Sequence, residues 1–297
     1  KIIEITCRFA LNGMFLSALM NEVALDYKEK HLEKTEVQNP YQNIYKHLNE
    51  YIKDTNSVCI LKGAETKNES KIYTDIFERI GMTVTQIKPD DLEQHKELLS
   101  YSFVISELTF DEITGISQEN IRFLSKLNLI NDFRTIFLIH DKRFFSVIGK
   151  KELQENALTA AEISEFEDFY IPTYTATENP EIWDHAKLNK DEWILKHRAL
   201  GKSQKIYAGL VTKPQEWDRL FADSDLKDLV LQKWIPQKRI FGKIKEEKFE
   251  DYVTGTLLFF DDNYYGFGDF RTSSHPVTNK VDHRKLTSLI ISNDCRP

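Results

Sequence analysis

The sequence predicts an α/β (α+β) fold, and three observations lead to that prediction. Strand-like and helix-like segments alternate between residues 57 and 139, and the segments after residue 141 are mostly strand-like. The chain has 297 residues, of which 41% are hydrophobic and 29% charged, a composition typical of globular domains. The length leaves room for two domains or one elaborate one, and we expect three consecutive regions: 1–55, 56–140 and 141–297.

Region 1–55 is predicted to contain one strand and two helices. A short strand is expected at 1–6. Residues 11–34 carry apolar side chains at helical spacing, and Asn39-Pro40 interrupts this pattern before a second amphipathic segment that runs to Ile52.

Region 56–140 contains short apolar runs separated by helical patterns. Strands are predicted at 57–61, 82–87, 101–106 and 134–139, and helices at 70–80, where Gly81 ends the pattern, and at 119–127. This alternation predicts a parallel, doubly wound sheet, which binds ligands at the carboxyl ends of its strands. No GxGxxG follows the first strand, so a dinucleotide site is not supported.

Region 141–297 is predicted to be rich in strands. A helix at 143–148 opens with Asp141 as its N-cap, and a helix at 214–221 carries Pro214 in its first turn. Strands are predicted at 192–196, 205–209, 228–235, 251–260 and 264–271.

Composition and charge exclude several classes of protein. The net charge of −7 argues against a general nucleic-acid binder, and the apolar runs are too short for a membrane helix. Cys7, Cys59 and Cys295 form no CxxC pair, so a structural zinc site or a disulfide framework is not expected, and a reducing cytoplasm is the default location. Basic residues nevertheless cluster at 190–205 and at 233–245. Such islands suit a small anionic ligand, or else form a solvated basic face.

The strand at 192–196 ends on a lysine, followed by a glycine turn. Lys196 could contact phosphate with its compact ammonium group, or it could be a surface lysine whose stem snorkels along the protein. Gly201, Lys202 and Ser203 could form a loop that covers phosphates, or a plain hairpin turn.

Three further positions could serve an anionic ligand or its metal ion. Lys142 would lie in a first helical turn, where the helix dipole disfavours a cation. Glu4 and Thr6 would share one face of the first strand and offer oxygen ligands to Mg²⁺, unless that face is simply exposed. Arg271 follows a strand containing Gly266 and Gly268, and could either neutralise a phosphoryl group or form a structural ion pair.

In order along the chain, these segments resemble the ATP-grasp superfamily, and in particular its circularly permuted branch, the glutathionylspermidine synthetase-like ligases. The resemblance rests on residues 3–9 with Asn12-Gly13, the segment 57–139, Asp141-Lys142, Lys196, 201–203, 232–235, Gly255-Thr256, 266–271 and 277–279. It implies an ATP-grasp fold in which 1–55 is the N-terminal part of the ATP-grasp domain, 56–140 a Rossmann-like pre-ATP-grasp domain, and 141–297 the nucleotide-binding domain.

The resemblance also implies a function and a set of site residues. The function would be an ATP- and Mg²⁺-dependent ligase that joins a small-molecule or peptide carboxylate to an amine through an acyl phosphate. Lys142, Lys196 and the loop Gly201, Lys202 and Ser203 would hold the phosphates. Adenine would lie against Gln232, Lys233, Trp234 and Ile235. The metal would be held by Glu4 and Thr6, and the catalytic residues would be Arg8 and Arg271.

The chain departs from the family pattern at two positions. Thr6 stands where asparagine is usual, and Thr272 stands where the synthetases carry an acidic residue. An earlier part of the domain would precede Lys1. Two alternatives stay open: a degenerate ATP-grasp protein that binds nucleotide or peptide without turnover, and an α/β binding module that binds no nucleotide. Neither the acid, the amine nor an oligomeric state follows from these motifs.

Overall fold

The computed structural model describes residues 1–9, 11, 13–31, 44–64, 69–201, 203–222, 224–261, 263–282 and 284–286. The chain divides into two compact units. Unit 1 comprises Lys1–Thr6, Phe137–Thr254 and Thr272–Arg284, and unit 2 comprises Cys7–Ile136, Gly255–Arg271 and Lys285–Pro297. Both units mix helices and strands, so the chain is a mixed α/β protein, and within the described residues no helix is long and apolar enough to cross a membrane.

The described α-helices are mostly short, and all of them precede Leu229 in the chain. They are α1 Met14–His31, α2 Ile44–Ile52, α3 Ser70–Arg79, α4 Lys96–Tyr101, α5 Phe110–Gly115, α6 Gln118–Leu124, α7 Phe144–Ile148, α8 Lys151–Ala157, α9 Ala160–Phe169, α10 Pro180–Leu188 and α11 Pro214–Ala222.

The strands form four described sheets. They are β1 Ser57–Leu61, β2 Thr83–Ile87, β3 Phe103–Ser106, β4 Leu129–Ile130, β5 Thr173–Tyr174, β6 Trp193–His197, β7 Ile206–Ala208, β8 Leu229–Lys233, β9 Arg239–Ile244, β10 Glu247–Thr254, β11 Leu257–Phe260, β12 Asn263–Phe267, β13 Phe270–Ser273 and β14 Arg284–Leu286.

Unit 2 is built on a parallel sheet with strand order β2-β1-β3-β4. The parallel pairing predicted for region 56–140 is confirmed. Alternate strand residues and the apolar faces of α1, α2 and α3 share one core, because parallel strands are covered by helices. Gly81 ends α3 with φ +88°, a conformation that an L side chain rarely adopts.

Two of the predicted strands are wrong. Residues 135–139 form a π-helical turn, and the fourth strand of the sheet lies earlier, at β4. Short apolar runs do not distinguish a strand from a buried helical segment, and here Ile136 is buried while Leu138 is exposed. Residues 1–6 form no strand. Their backbone instead bonds to isolated partners, as in the Ile2 N–H that donates to Phe169 O at 2.8 Å.

Unit 1 contains an antiparallel sheet with strand order β5-β8-β6-β7. Residues paired across antiparallel strands share a face. One face, the tryptophan face, consists of Trp193, Leu195, Leu229, Leu231, Tyr174 and Tyr207, and it packs against Trp183 of α10 and Trp217 of α11. The opposite face, the lysine face, consists of Lys196, Ile194, Ile206, Ala208, Val230, Gln232 and Thr173.

The remaining strands differ in detail from the prediction. The single strand expected at 251–260 is two strands, β10 and β11, which belong to different sheets. Gly255 lies at the break, where an added Cβ would come within 2.7 Å of the Phe270 ring. The strand expected at 264–271 is likewise divided into β12 and β13. The β9–β10 hairpin is antiparallel, and its sheet has the order β14-β13-β10-β9.

Candidate functional site

Lys196 lies near the end of β6 and points to the lysine face. Only 4% of the residue is exposed, so the interpretation as a snorkelling surface lysine is wrong. Its side-chain amine donates to the carbonyl oxygen of Ile3 at 3.0 Å. A lysine buried to this degree loses hydration, so its environment must supply compensating acceptors.

Lys142 is brought beside the end of β6 by backbone hydrogen bonds. Its N–H donates to Arg198 O at 2.9 Å, and Arg198 N–H donates in turn to Asp228 O at 2.9 Å. The Lys142 side chain is almost fully buried, and its Nζ donates to Leu200 O at 2.9 Å. The same Nζ lies 3.2 Å from Glu4 Oε1.

A network of four charged side chains supports this arrangement. Asp141 accepts hydrogen bonds from Arg143, at 2.7 Å from Nη2, and from Arg198, at 2.9 Å from Nη1. Arg198 also donates through Nε to Asp228 at 2.9 Å. Burial alone would raise the pKa of Asp141, but the hydrogen bonds from Arg143 and Arg198 outweigh it and hold that pKa below its ordinary value.

Asp141 therefore pairs with Arg143 and Arg198, and it is not the predicted N-cap of a helix at 143–148. Helix α7 starts at Phe144, and Asp141 Oδ1 accepts the N–H of Arg143, one residue before the helix. Lys142 lies before the helix instead of in its first turn.

Two buried ammonium groups share one carboxylate in this cluster. Burial lowers the pKa of Lys196 to about 8, while the charge of Glu4 raises it and the charge of Lys142 lowers it further. Glu4 can balance only one of the two positive charges. The cluster of Lys142, Lys196 and Glu4 therefore carries an excess of positive charge where little water screens it, and such charge attracts anions.

Gln232 of β8 also lies on the lysine face. It is paired with Ile194 of β6, whereas Lys196 is paired with Val230. Gln232 is 1% exposed; its Nε2 donates to Thr173 Oγ1 at 2.8 Å, and within the described residues its Oε1 has no hydrogen-bond partner. Val277 packs on Ile194 and Ala208, with Trp234 beside them. The lysine face thus combines an apolar patch with an unused buried acceptor.

The other predicted adenine residues lie at the end of β8. The N–H of Trp234 donates to Glu192 O at 2.7 Å, so it is already used within unit 1. Lys233 is exposed, with Nζ 3.9 Å from Glu192 Oε2, and Ile235 is half-buried.

The predicted phosphate loop is described in part. Gly201 and Ser203 form a turn after the Leu200 carbonyl that Lys142 bonds, and Ser203 adopts φ 60°. Lys202 lies outside the described residues. Space around Gly201 is open: apart from its chain neighbours, no described atom lies within 4 Å of an added Cβ.

The predicted metal ligands offer few donors. Glu4 is paired with Lys142, and Thr6 is exposed on a segment that is not a strand. Among the described residues no group of three His, Cys, Asp or Glu side chains could hold a metal ion. Mg²⁺ usually takes one or two carboxylates plus ligand phosphates, and the one carboxylate of this set is already paired with a lysine, so the set fits Mg²⁺ poorly.

The two predicted catalytic arginines belong to unit 2. The Arg8 guanidinium lies 4.2 Å from the centre of the Phe9 ring, and Arg271 is half-buried on β13. Their catalytic roles stay predictions.

The sequence patterns did not predict three supporting residues of the site, namely Arg198, Asp228 and Thr173. Arg198 lies in the first basic island, and Asp228 precedes the next strand, but their pairing has no local signature.

Comparison with known proteins gives a match to a family model and a likeness among solved structures. The sequence model of the AnkG N-terminal domain family matches residues 1–138, fewer than half of the chain. No curated protein sequence matches the chain. Among solved structures, a D-alanine–D-alanine ligase from Bacillus anthracis aligns over 80% of this chain and 71% of its own, with 13% identity and a TM-score of 0.33. Likeness at that level does not establish a shared fold.

Proposed function

We propose that unit 1 binds the polyphosphate and base of ATP, and that the chain is an ATP-dependent ligase that joins a carboxylate to an amine. The observation that carries the binding proposal is a pair of buried lysines engaged by adjacent residues: Lys142 Nζ pairs with the Glu4 carboxylate, and Lys196 Nζ donates to the Ile3 carbonyl. An ordinary solvated basic face would leave both amines in water. Here both amines are buried, Lys142 pairs with Glu4, and the charge of the same Glu4 acts on Lys196.

The shape of the lysine face supports ATP over a simple phosphate ion. Lys196 and Gln232 are diagonal neighbours on the lysine face, because Gln232 is paired with Ile194 and Lys196 with Val230. A ligand with an anionic end and an aromatic, amino-bearing end would match the lysines, the apolar side chains beside them and the Gln232 acceptor. Adenine has such an amino group.

The ligase chemistry follows the resemblance and is part of the proposal. A substrate carboxylate would attack the terminal phosphorus of ATP, releasing ADP and forming an acyl phosphate. The amine would then attack the acyl carbon, releasing phosphate and a proton and forming the amide. Lys142 and Lys196 would stabilise the charge on the phosphate oxygens.

Calorimetric titration with ATP tests the binding proposal. The unmodified chain should bind ATP in a saturable 1:1 manner, and Lys196→Met should weaken that binding at least about 100-fold because a phosphate partner is lost. Lys213→Met removes an exposed lysine of the same unit and should leave the affinity unchanged. Absence of ATP binding by the unmodified chain, or equal weakening by both variants, would contradict the proposal.

A second candidate is nucleotide binding without turnover. It is favoured by one observation, the poor set of metal donors around Glu4. The two candidates separate on product formation. A ligase should release ADP in the presence of Mg²⁺, ATP, a carboxylate and an amine from a panel of pairs. A protein that binds ATP without turnover would lose affinity for ATP in Lys196→Met, but the unmodified chain would release no more ADP than that variant does.

A further inference from the structure

The two lysines of the cluster are both engaged by neighbouring residues of one short segment. Lys196 Nζ donates to the carbonyl of Ile3, and Lys142 Nζ pairs with the carboxylate of Glu4. The segment is itself anchored in unit 1, because Ile2 N–H donates to Phe169 O at 2.8 Å and Lys1 Nζ donates to Glu167 O at 3.0 Å. The Ile3 carbonyl oxygen and the Glu4 carboxylate are thus the partners of the two amines that the proposed function assigns to phosphate.

We infer that residues 3–4 are an internal competitor for the polyphosphate site, with Glu4 as the group that must leave before a ligand binds. The inference concerns regulation of the proposed ATP site and rests on that proposed function. It assigns Glu4 a role opposite to that of a metal ligand. A metal ligand favours nucleotide binding, whereas a competing carboxylate opposes it.

Electrostatic repulsion sets the Glu4 carboxylate against a polyphosphate at Lys142. A carboxylate 3.2 Å from an ammonium group in a desolvated site interacts strongly with it, and a polyphosphate brought to the same ammonium would be repelled by that carboxylate. Lys142 has one other described acceptor, the Leu200 carbonyl, which can stay in place when a ligand binds. Exchange of Glu4 for phosphate therefore keeps Lys142 paired and removes the repulsion.

Glu4→Gln tests the inference, because glutamine keeps the shape and removes the charge. At pH 7 without divalent metal, calorimetry should show about tenfold tighter binding of ATP and of inorganic tripolyphosphate by Glu4→Gln than by the unmodified chain. Glu167→Gln is the matched control. It makes the same change of net charge on an exposed side chain of unit 1, and it should leave both affinities unchanged.

The outcomes separate the inference from the proposed function. Equal or weaker binding by Glu4→Gln overturns the inference while ATP binding itself stands. Tighter tripolyphosphate binding with no ATP binding by any variant overturns the proposed function and supports Glu4 as a competitor for polyphosphate. No binding of either compound overturns both.

A measurement on the unmodified chain covers the case in which the variant does not fold. The carboxyl ¹³C resonance of Glu4 should move to the value of a solvated glutamate when tripolyphosphate saturates the site. A resonance that stays unchanged at saturation would overturn the inference.

Discussion

The two faces of the antiparallel sheet in unit 1 carry different kinds of side chain on the same strands. Trp193 and Leu195 of β6 point to the tryptophan face, whereas Ile194 and Lys196 point to the lysine face. The first face packs against two helices through large aromatic rings. The second buries an amine and an amide. One strand can thus supply an aromatic core on one side and buried polar groups on the other, because its side chains alternate between the two faces.

The largest effect is expected from breaking the tryptophan face. Trp217 is 1% exposed, and its Nε1 donates to Ala186 O at 3.2 Å. Trp217→Ala should lower the free energy of unfolding by about 3–5 kcal/mol, because it leaves a cavity and an unpaired carbonyl. Urea denaturation measures the change. A conservative control, Trp217→Phe, should lose clearly less, and equal losses would contradict packing as the cause.

A substitution on the lysine face is expected to change the free energy of unfolding in the opposite direction. Lys196→Met should leave the free energy of unfolding unchanged or raise it by about 1–3 kcal/mol at pH 7, because it replaces a desolvated charge by an apolar group of similar length. Glu4 keeps Lys142 as its partner in this variant. A loss of stability as large as that of Trp217→Ala would show that the two faces do not differ in the way we propose.

The pH dependence of stability sharpens the same contrast. Burial lowers the pKa of Lys196 to about 8 in the folded chain, below the ordinary value of 10.5. Between these values the Lys196 amine is protonated in the unfolded chain and neutral in the folded chain. The free energy of unfolding should therefore rise by on the order of 3 kcal/mol as pH rises from 8 to 10.5, and this gain is lost as pH falls through 8. Urea denaturation at a series of pH values measures this change, and the same series on Lys196→Met gives the pH dependence without the lysine. An identical dependence of the free energy of unfolding on pH in the two proteins would contradict the shifted pKa.

The network beside the lysines should matter less. Arg198→Ala removes a partner from both Asp141 and Asp228, and should lower the free energy of unfolding by about 1–3 kcal/mol, since Arg143 still pairs with Asp141. Arg198→Lys keeps the charge but cannot bridge two carboxylates with one planar group, so it should recover only part of the loss. Thermal or urea unfolding measures both, and full recovery by lysine would argue against the bridging geometry.

The smallest effect is expected at Gln232. Gln232→Leu loses the hydrogen bond to Thr173 but also removes the buried Oε1 that has no described partner, so the free energy of unfolding should change by less than about 1 kcal/mol. The affinity for ATP should fall relative to that for tripolyphosphate, as calorimetry with both compounds would show. Leu231→Ala, on the other face of the same strand, should instead cost about 2–4 kcal/mol of stability.

Local patterns were enough to predict much of the fold. Ser57–Leu61 and Leu229–Lys233 are strands as expected, Pro214 opens α11, and Gly81 ends α3. Each of these depends on the chemistry of a few neighbouring residues. Residues 1–6 and 134–139 were predicted wrongly, because apolar side chains alone do not say whether a segment will find a strand to pair with.

Sequence patterns identified Lys142 and Lys196 as candidate phosphate contacts and Gln232 as a candidate adenine contact, and they placed Lys196 and Gln232 on strands. The burial of both lysines, the pairing of Lys142 with Glu4, and the link of Arg198 to Asp141 and Asp228 follow from tertiary packing. The physical reason is distance along the chain. Glu4 is separated from Lys142 by more than a hundred residues. Burial and charge pairing over such separations depend on how strands and loops pack, which no local pattern encodes.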